Sequence, residues 1–233
     1  MPARGKLIVI EGIDGSGKRT QLDLLARALA HRGYDLAEIG FPNYDGFFGK
    51  LVARFLNGEF GPLDSVDPHF AALLYAGDRL ESKSTLESAL AAGKLLISDR
   101  YVASNLAHQG SRVPSGGREE FLAWLRRLEY EIYGLPVEDL VVYLRVPVDD
   151  AHRLIGSKRT RGYTDKTHDI QEADFAHLEA ASRVYDQLSR QSHWVRIECF
   201  DAAASALRSP ASIHEEILSA VDARIAAALR AQG

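Results

Sequence analysis

The sequence predicts an α/β fold in which five parallel strands form a doubly wound sheet flanked by helices. Five short aliphatic runs are separated by longer segments whose apolar residues recur at helical spacing. The first run, residues 7–10, is apolar at every position, as expected for a strand buried on both faces of a parallel sheet. A glycine-rich turn joins this run to a helical pattern that begins at residue 18. Strands that alternate with helices are typical of doubly wound folds, which bind ligands at the carboxyl ends of their strands.

Local end signals justify the individual elements. Pro42 ends the second strand and favours an extended, or cis-linked, Phe41. Pro68 suits the first position of a helix, and Gly33 and Gly93 suit the position after a helix C-terminus. The predicted strands are residues 7–10, 35–41, 95–99, 140–144 and 194–199, and the predicted helices are residues 18–32, 46–57, 68–92, 118–133, 149–155, 172–190 and 212–229. Residues 58–67, 116–117 and 157–168 are predicted to be loops.

The composition is that of one globular domain with an ordinary core. The 233 residues are 46% hydrophobic and 26% charged, and a net charge of −4 favours neither nucleic acid nor an anionic membrane. Cys199 is the only cysteine, which excludes an internal disulfide and a cysteine-based zinc site. Because the sequence shows no signal-peptide pattern and no apolar run of transmembrane length, we expect a cytoplasmic enzyme that acts on small molecules.

The turn after the first strand has the spacing of a phosphate-binding loop. Its glycines allow a tight turn in which successive N–H groups face one anion, and Lys18 adds a charge that reaches the β- and γ-phosphates. Arg19 stands where a serine or threonine is expected, and Thr20 follows one residue late. We predict that this loop binds a nucleoside triphosphate. The predicted binding residues are Gly12, Ile13, Asp14, Gly15, Ser16, Gly17, Lys18, Arg19 and Thr20.

A second charged motif, Asp99-Arg100-Tyr101, follows the third predicted strand. At the carboxyl end of a strand, an aspartate can bind Mg²⁺ and an arginine can clamp a phosphate. The alternative is that Asp99 caps the next helix with Arg100 as its ion-pair partner. The phosphate-binding loop upstream favours the first interpretation.

Five motifs in order resemble the thymidylate kinase family over essentially the whole chain. They are residues 11–21 (EGIDGSGKRTQ), 41–44 (FPNY), 78–79 (DR), 99–105 (DRYVASN) and 169–174 (DIQEAD). The GKRT form of the loop is similar to that of mycobacterial-type members. The resemblance implies the P-loop NTPase fold of a nucleoside monophosphate kinase, a single domain over residues 1–233, ATP as phosphoryl donor, Mg²⁺, and a homodimer. The implied reaction is the ATP-dependent phosphorylation of dTMP to dTDP.

The resemblance also implies the residues that hold the acceptor nucleotide. Phe41 would stack on thymine, Arg79 would bond a base carbonyl, and Asn105 would read the Watson–Crick edge. Asp14 would contact the sugar 3′-hydroxyl, and Arg100 would hold the acceptor phosphate. The full implied set is Asp14, Phe41, Tyr44, Tyr75, Arg79, Arg100, Ser104, Asn105 and His108.

Three of these positions have alternative interpretations. Phe41 could instead be a core residue at the end of a strand. Asp78 and Arg79 could form an ion pair on a helix surface. His108 stands where many family members carry an aromatic residue, so its role against the sugar stays open.

Residues 157–168 are polar, rich in cations and without an apolar face. One interpretation is a solvated loop. The resemblance implies a mobile lid that covers the transferred phosphoryl group with arginine. Family members without an arginine inside the P-loop supply one from the lid, and Gly15 occupies that P-loop position here. Arg159 and Arg161 are therefore the candidate catalytic residues of the lid. The other candidate catalytic residues are Asp14, Lys18 and Arg100.

Carboxylates are expected to hold Mg²⁺, because Arg19 offers no lone pair to a metal. The candidate ligands are Asp14, Asp99, Asp169 and Glu172. Asp169 and Glu172 fit equally well as the N-cap and third residue of the helix that follows. Two alternative functions stay open: a kinase for dUMP, UMP or a deoxynucleoside, and a nucleotide-binding module that Arg19 has left without catalysis.

Overall fold

Five parallel strands form the central sheet, as the sequence predicts. The structure is a computed structural model that describes residues 4–156, 169–171 and 174–226. The strands are β1 Lys6–Glu11, β2 Leu36–Gly40, β3 Leu95–Asp99, β4 Leu140–Arg145 and β5 Trp194–Glu198, in the order β2-β3-β1-β4-β5. All neighbouring pairs are parallel, which confirms the predicted fold class. A short antiparallel hairpin of β6 Phe200–Asp201 and β7 Ala206–Leu207, which the sequence analysis missed, follows β5.

Helices connect the strands and flank the sheet. They are α1 Lys18–His31, α2 Phe47–Leu56, α3 Pro68–Glu81, α4 Lys83–Ala91, α5 Val102–Gly110, α6 Ser115–Arg126, α7 Val148–Gly156, α8 Phe175–Leu188 and α9 Pro210–Val221. A 3₁₀ turn covers Leu63–Ser65, and π-helical turns cover Arg127–Ile132 and Asp222–Ala226. Helix α1 packs on α9, whereas α5 packs among α3, α6 and α8. Within the described ranges, no helix is long and apolar enough to cross a membrane.

Three helix predictions were wrong. Residues 68–92 form two helices, because the N–H of Ser82 bonds the carbonyl of Arg79 three residues back and the chain bends there. Gly116 and Gly117 lie inside α6, which begins at residue 115. Helix α5 was missed because its buried residues include Asn105, His108 and Gln109, polar side chains that do not count as apolar in a periodicity pattern.

The loops of the site leave the sheet at one edge. Residue pairing aligns Ile10 with Asp99 and Gly40 with Asp99. Two further backbone bonds continue this alignment beyond the strands, from Phe41 N to the Asp99 carbonyl and from Arg100 N to the Ile10 carbonyl, both at 3.0 Å. The segments after β1, β2 and β3 therefore meet at the carboxyl edge, where doubly wound sheets bind ligands.

Candidate active site

The glycine-rich loop between β1 and α1 closes around the side chain of Lys18. Gly12, Gly15 and Gly17 have φ angles of 147°, 82° and 87°, which side-chain-bearing residues rarely adopt. The Nζ of buried Lys18 donates to the carbonyls of Gly12 and Ile13, each at 2.9 Å. The loop conformation and its lysine thus match the predicted phosphate-binding site.

Gly15 also sets how closely α7 approaches this loop. A Cβ at position 15 would lie 2.1 Å from the carbonyl oxygen of Ala151 in α7. Together with the positive φ angle, this contact leaves no room for a side chain. An arginine at this loop position would require α7 to move.

Arg19 and Thr20 face solvent on the first turn of α1. The Arg19 side chain is 72% exposed and pairs with Asp23 at 2.9 Å, one helical turn away. The structure therefore does not bring either side chain into the loop. The hydroxyl of Ser16, in contrast, is buried and has no hydrogen-bond partner among the described residues.

Arg100 joins the loop to a neighbouring cavity. Its Nη2 lies 2.5 Å from Asp14 Oδ1, and its Nη1 donates to Ser104 Oγ at 3.1 Å and to the Gly12 carbonyl at 3.3 Å. Burial is the largest single influence and acts to lower the pKa of Arg100, but Asp14 together with Tyr185, Asp99 and Glu11 raises the pKa well above its ordinary value. The alternative interpretation, in which Asp99 pairs with Arg100 and caps the next helix, is wrong. Asp14 is the ion-pair partner of Arg100, and Glu11 caps the helix.

Glu11, at the end of β1, caps α5. Its Oε1 accepts from the backbone N–H groups of Tyr101 and Ser104 at 2.8 and 3.1 Å. Its Oε2 accepts from the Ser104 and Tyr185 hydroxyls at 2.6 and 2.8 Å. These bonds hold the turn that carries Arg100, whose φ of 67° is left-handed. Sequence reasoning quoted Glu11 in a motif but assigned it no role.

All nine predicted acceptor-binding residues line one cavity beside the loop. The cavity is bounded by Asp14, Phe41, Pro42, Tyr44, Leu56, Tyr75, Arg79, Arg100, Tyr101, Ser104, Asn105, His108, Gln109, Asp169 and Gln171. Sequence reasoning missed Gln109 and Gln171. The Nε2 atoms of both are buried without a hydrogen-bond partner among the described residues, so they offer two further donors to a ligand. No signal in the sequence singles them out.

The aromatic part of the cavity follows β2. Phe41 is buried, belongs to the main hydrophobic core, and its ring centroid lies 5.8 Å from that of Tyr101. The Phe41–Pro42 peptide bond is cis, which is one of the two conformations that the sequence left open. Phe41 therefore belongs both to the core and to the cavity wall, so the two interpretations of this residue are compatible.

The polar part of the cavity lies between α3 and α5. Arg79 is 1% exposed and pairs with the buried Glu129 rather than with Asp78, so the interpretation as a surface ion pair was wrong. Burial acts to lower the pKa of Arg79, but Glu129 outweighs it and the pKa is raised. Asp78 accepts from the backbone N–H of Asn43 and positions the loop after β2. Burial raises the pKa of Asp78 to about 6.

His108 forms a buried pair with His177. Its Nδ1 lies 3.2 Å from His177 Nε2, and its own Nε2 is buried with no partner among the described residues. Burial lowers the pKa of His108 well below its ordinary value and that of His177 to about 4. The structure thus presents a neutral imidazole to the cavity at this position.

The predicted metal ligands are only partly described. Asp14 and Asp169 line the cavity, and Asp99 Oδ1 is buried without a hydrogen-bond partner among the described residues. Glu172 lies outside the described residues, as do Arg159 and Arg161. Over residues 4–156, 169–171 and 174–226, no group of three or more histidine, cysteine or acidic side chains is placed to hold a metal.

The predicted capping role of Asp169 was wrong. Helix α8 begins at Phe175, and Asp174 is its N-cap, accepting from His177 N at 3.0 Å. Asp169 accepts instead from Gln171 N at 2.9 Å in the turn before the helix. Asp169 is only 4% exposed and lies at the cavity wall.

The parallel sheet, the loop around Lys18 and the adjoining cavity define a P-loop nucleotide-binding protein of the α/β class. The family model for thymidylate kinase matches residues 10–205. The thymidylate kinase of Mycobacterium tuberculosis is 33% identical over 190 residues, covering 79% of this chain and 86% of its own. The chain therefore belongs to the thymidylate kinase family, a family of phosphotransferases, as the resemblance predicted.

Two further similarities agree with this assignment. A probable thymidylate kinase of Thermococcus onnurineus is 34% identical over 220 residues, covering 92% of this chain and 96% of its own. The solved structure of thymidylate kinase from Candida albicans superposes with a TM-score of 0.73 over 96% of this chain and 93% of that chain. Because its sequence identity is 20%, this last match supports the fold alone.

Proposed function

We propose that the protein transfers a phosphoryl group from ATP to dTMP, giving dTDP. The observation that carries the proposal is the position of Arg100, whose guanidinium contacts the phosphate loop at Gly12 and the cavity wall at Ser104. A donor phosphate on the loop and an acceptor phosphate in the cavity would therefore meet at one arginine. Membership of the thymidylate kinase family supports thymine as the base that the cavity holds.

The chemistry of such a site is positioning and charge stabilisation. Phosphoryl transfer needs little covalent participation by the protein, so the enzyme must align the two nucleotides and neutralise the charge that develops. Lys18 and the loop N–H groups would hold the donor phosphates, and Arg100 the acceptor phosphate. Phe41, Arg79 and Asn105 would orient the base, which places the acceptor oxygen in line with the donor.

Mg²⁺ fits the residues that are present. An unpaired, buried carboxylate oxygen on Asp99 at the edge of the loop is the kind of ligand that Mg²⁺ prefers. One or two carboxylates suffice, because Mg²⁺ usually keeps waters and binds substrate phosphates as well. Asp99, with Asp14 or Asp169, would hold the ion. When bound, Mg²⁺ would neutralise part of the negative charge on the donor phosphates. The role of Glu172 stays a prediction.

The lid and the domain boundaries are part of the same proposal. Residues 157–168 would form a lid within a single domain over residues 1–233, with Arg159 or Arg161 on the transferred group. Gly15 supports a lid arginine indirectly, since no side chain fits beside Ala151 at that loop position. The alternative of an inactive module loses its motivation, because Arg19 faces solvent and leaves the loop intact.

We further propose a homodimer in the cytoplasm. Phe70, Leu73 and Leu80 of α3 are exposed, and at about 100° per residue they lie within an arc of about 80° on one helix face. The exposed Phe47 of the adjacent α2 adds to the apolar surface of this helix pair. A dimer would cover this face. Sedimentation of the wild type against a Leu73→Glu variant tests it, and a monomeric wild type would contradict it.

A coupled assay of ATP consumption over dTMP, dUMP, UMP, CMP and AMP tests the function. We expect dTMP to give the highest kcat/KM, with dUMP lower because a 5-methyl contact contributes about 1–3 kcal/mol. Equal or better turnover of CMP or AMP would contradict the assignment of the base-reading residues. Tight ATP binding without turnover of any acceptor would contradict the kinase assignment itself.

A further inference from the structure

Glu129 is a fully buried carboxylate to which the proposed function assigns no role. It lies in the six-residue π-helical turn Arg127–Ile132, a rare geometry that is frequent at functional sites. Its Oε2 accepts from Arg79 Nε at 2.5 Å, and its Oε1 accepts from Arg79 Nη2 at 2.6 Å. The same Oε1 also accepts from Asn105 Nδ2 at 2.9 Å. One side chain thus holds two residues of the cavity wall.

These contacts determine which atom Asn105 presents to a ligand. The two hydrogens of its Nδ2 point to the Glu129 carboxylate and to the Ala72 carbonyl, the latter at 3.0 Å. Both partners can only accept, so the amide cannot be turned over without placing its oxygen against two acceptors. The Oδ1 of Asn105 is buried and has no partner among the described residues. Asn105 therefore offers the cavity a hydrogen-bond acceptor.

Arg79 offers the opposite polarity. A guanidinium has five N–H donors and no acceptor, and Glu129 takes two of the donors. Three N–H groups are left for other partners, on a side chain that lines the same cavity. The wall between α3 and α5 thus combines an acceptor side chain, Asn105, with a donor side chain, Arg79, and Glu129 orients both.

We propose that Glu129 is a positioning residue that sets the hydrogen-bond polarity of the base pocket and so selects 2,4-dioxopyrimidines over 4-aminopyrimidines. The inference rests on the proposed function and adds to it the residue that orients the two base-reading side chains. The N3–H of thymine or uracil donates to Asn105 Oδ1, and its O4 accepts from Arg79. Cytosine carries an acceptor at N3 and an amino donor at C4, so both of its groups would face a partner of the same polarity.

The test compares dUMP with dCMP, which differ in base polarity and share the absence of a 5-methyl group. Each mismatched buried bond lowers binding about 10- to 100-fold, so the wild type is expected to favour dUMP by at least about 100-fold in kcat/KM. In Glu129→Gln one acceptor oxygen becomes an NH₂ group, which frees the Asn105 amide to turn. We expect KM for dTMP to rise about 10- to 100-fold with kcat changed much less, and the dUMP-to-dCMP ratio to fall at least about tenfold.

Glu138→Gln is the matched control. Glu138 is also a buried carboxylate, but it accepts from Tyr130 and does not line the cavity. The control is expected to keep the dUMP-to-dCMP ratio of the wild type whatever its stability. A Glu129→Gln enzyme that loses activity on dUMP and dCMP equally would show a purely structural role and overturn the proposal.

Binding measurements keep the inference testable if Glu129→Gln does not fold. Calorimetry of the wild type with dUMP and dCMP is expected to show the same preference, and equal affinities would overturn the proposed polarity. The measurement also separates the two proposals. A wild type that binds dUMP selectively but phosphorylates no acceptor would contradict the kinase function and leave the role of Glu129 intact.

Discussion

Replacing Glu11 with glutamine is expected to weaken the acceptor-phosphate end of the site and to leave the base end unchanged. The glutamine keeps Oε1, which caps α5 through the N–H groups of Tyr101 and Ser104. It loses the negative charge near Arg100, and its NH₂ group meets the Ser104 and Tyr185 hydroxyls, which must then rotate to accept. The turn at Arg100, with its φ of 67°, is held less firmly as a result.

The magnitude follows from the type of bond that is lost. Hydrogen bonds to a charged group contribute about 1.5–3 kcal/mol and neutral ones about 0.5–1.5, so the loss is about 1–2 kcal/mol. For a chain of this size each kcal/mol shifts Tm by about 2–4 °C, which predicts a decrease of about 2–8 °C. If the same loss reaches Arg100, KM for dTMP rises about 5- to 30-fold, whereas KM for ATP changes less than about threefold.

Thermal unfolding and steady-state kinetics with each substrate varied in turn measure these quantities. Tyr185→Phe is the matched control, because it removes one of the four donors and leaves both backbone caps in place. We expect this variant to lose about 1.5–3 kcal/mol of stability, the value of one bond to a charged group, and to keep the KM for dTMP within about threefold. A Glu11→Gln enzyme with unchanged KM for dTMP, or with equal changes for both substrates, would refute the reasoning.

Three further predictions concern other parts of the chain. Replacing both Arg159 and Arg161 with alanine should lower kcat strongly and change dTMP binding little, because charges that act in the transition state contribute little to ground-state binding. A near-normal kcat would show that both arginines are only solvated. Titration of activity against free Mg²⁺ should be nearly unchanged in Thr20→Val, whose side chain is exposed, and shifted sharply in Asp99→Asn; the reverse pattern would exclude the carboxylate assignment. Burial, opposed by a hydrogen bond from a tyrosine, raises the pKa of Glu138 from 4.5 to about 7. Because the folded protein then binds a proton that the unfolded chain releases, the free energy of unfolding should fall by up to about 3 kcal/mol as the pH rises through this range. Denaturant titrations at several pH values should show this slope in the wild type and a flatter one in Glu138→Gln, and equal slopes would count against the shift.

The strands and the phosphate loop could be predicted because their signals are local. Residues 7–10 are apolar throughout, and β1 covers them with one residue added at each end. The loop glycines were placed by spacing alone, and all three have positive φ angles. Periodicity failed in α5, where polar residues such as Asn105 and His108 are buried, and at Ser82, where the chain bends between α3 and α4.

The candidate cavity was predicted from ordered motifs, and the structure brings their residues together. The partners that orient those residues were not predicted. Arg79 and Glu129 are 50 positions apart, His108 and His177 69, and Glu11 and Tyr185 174. Glutamates in helical segments are most often solvated, so nothing in the local sequence marks Glu129 as buried.

The sequence by itself determined the class of fold and the phosphate loop, because each depends on spacing within a short segment, and its resemblance to a known family implied the residues that line the cavity. Tertiary structure alone decided how those residues are oriented. It placed Glu11 under the turn of Arg100, Glu129 behind Arg79, and the Arg19 side chain in solvent. The physical reason is that a buried polar group must find its hydrogen-bond partner wherever the packed chain provides one, at any distance along the sequence.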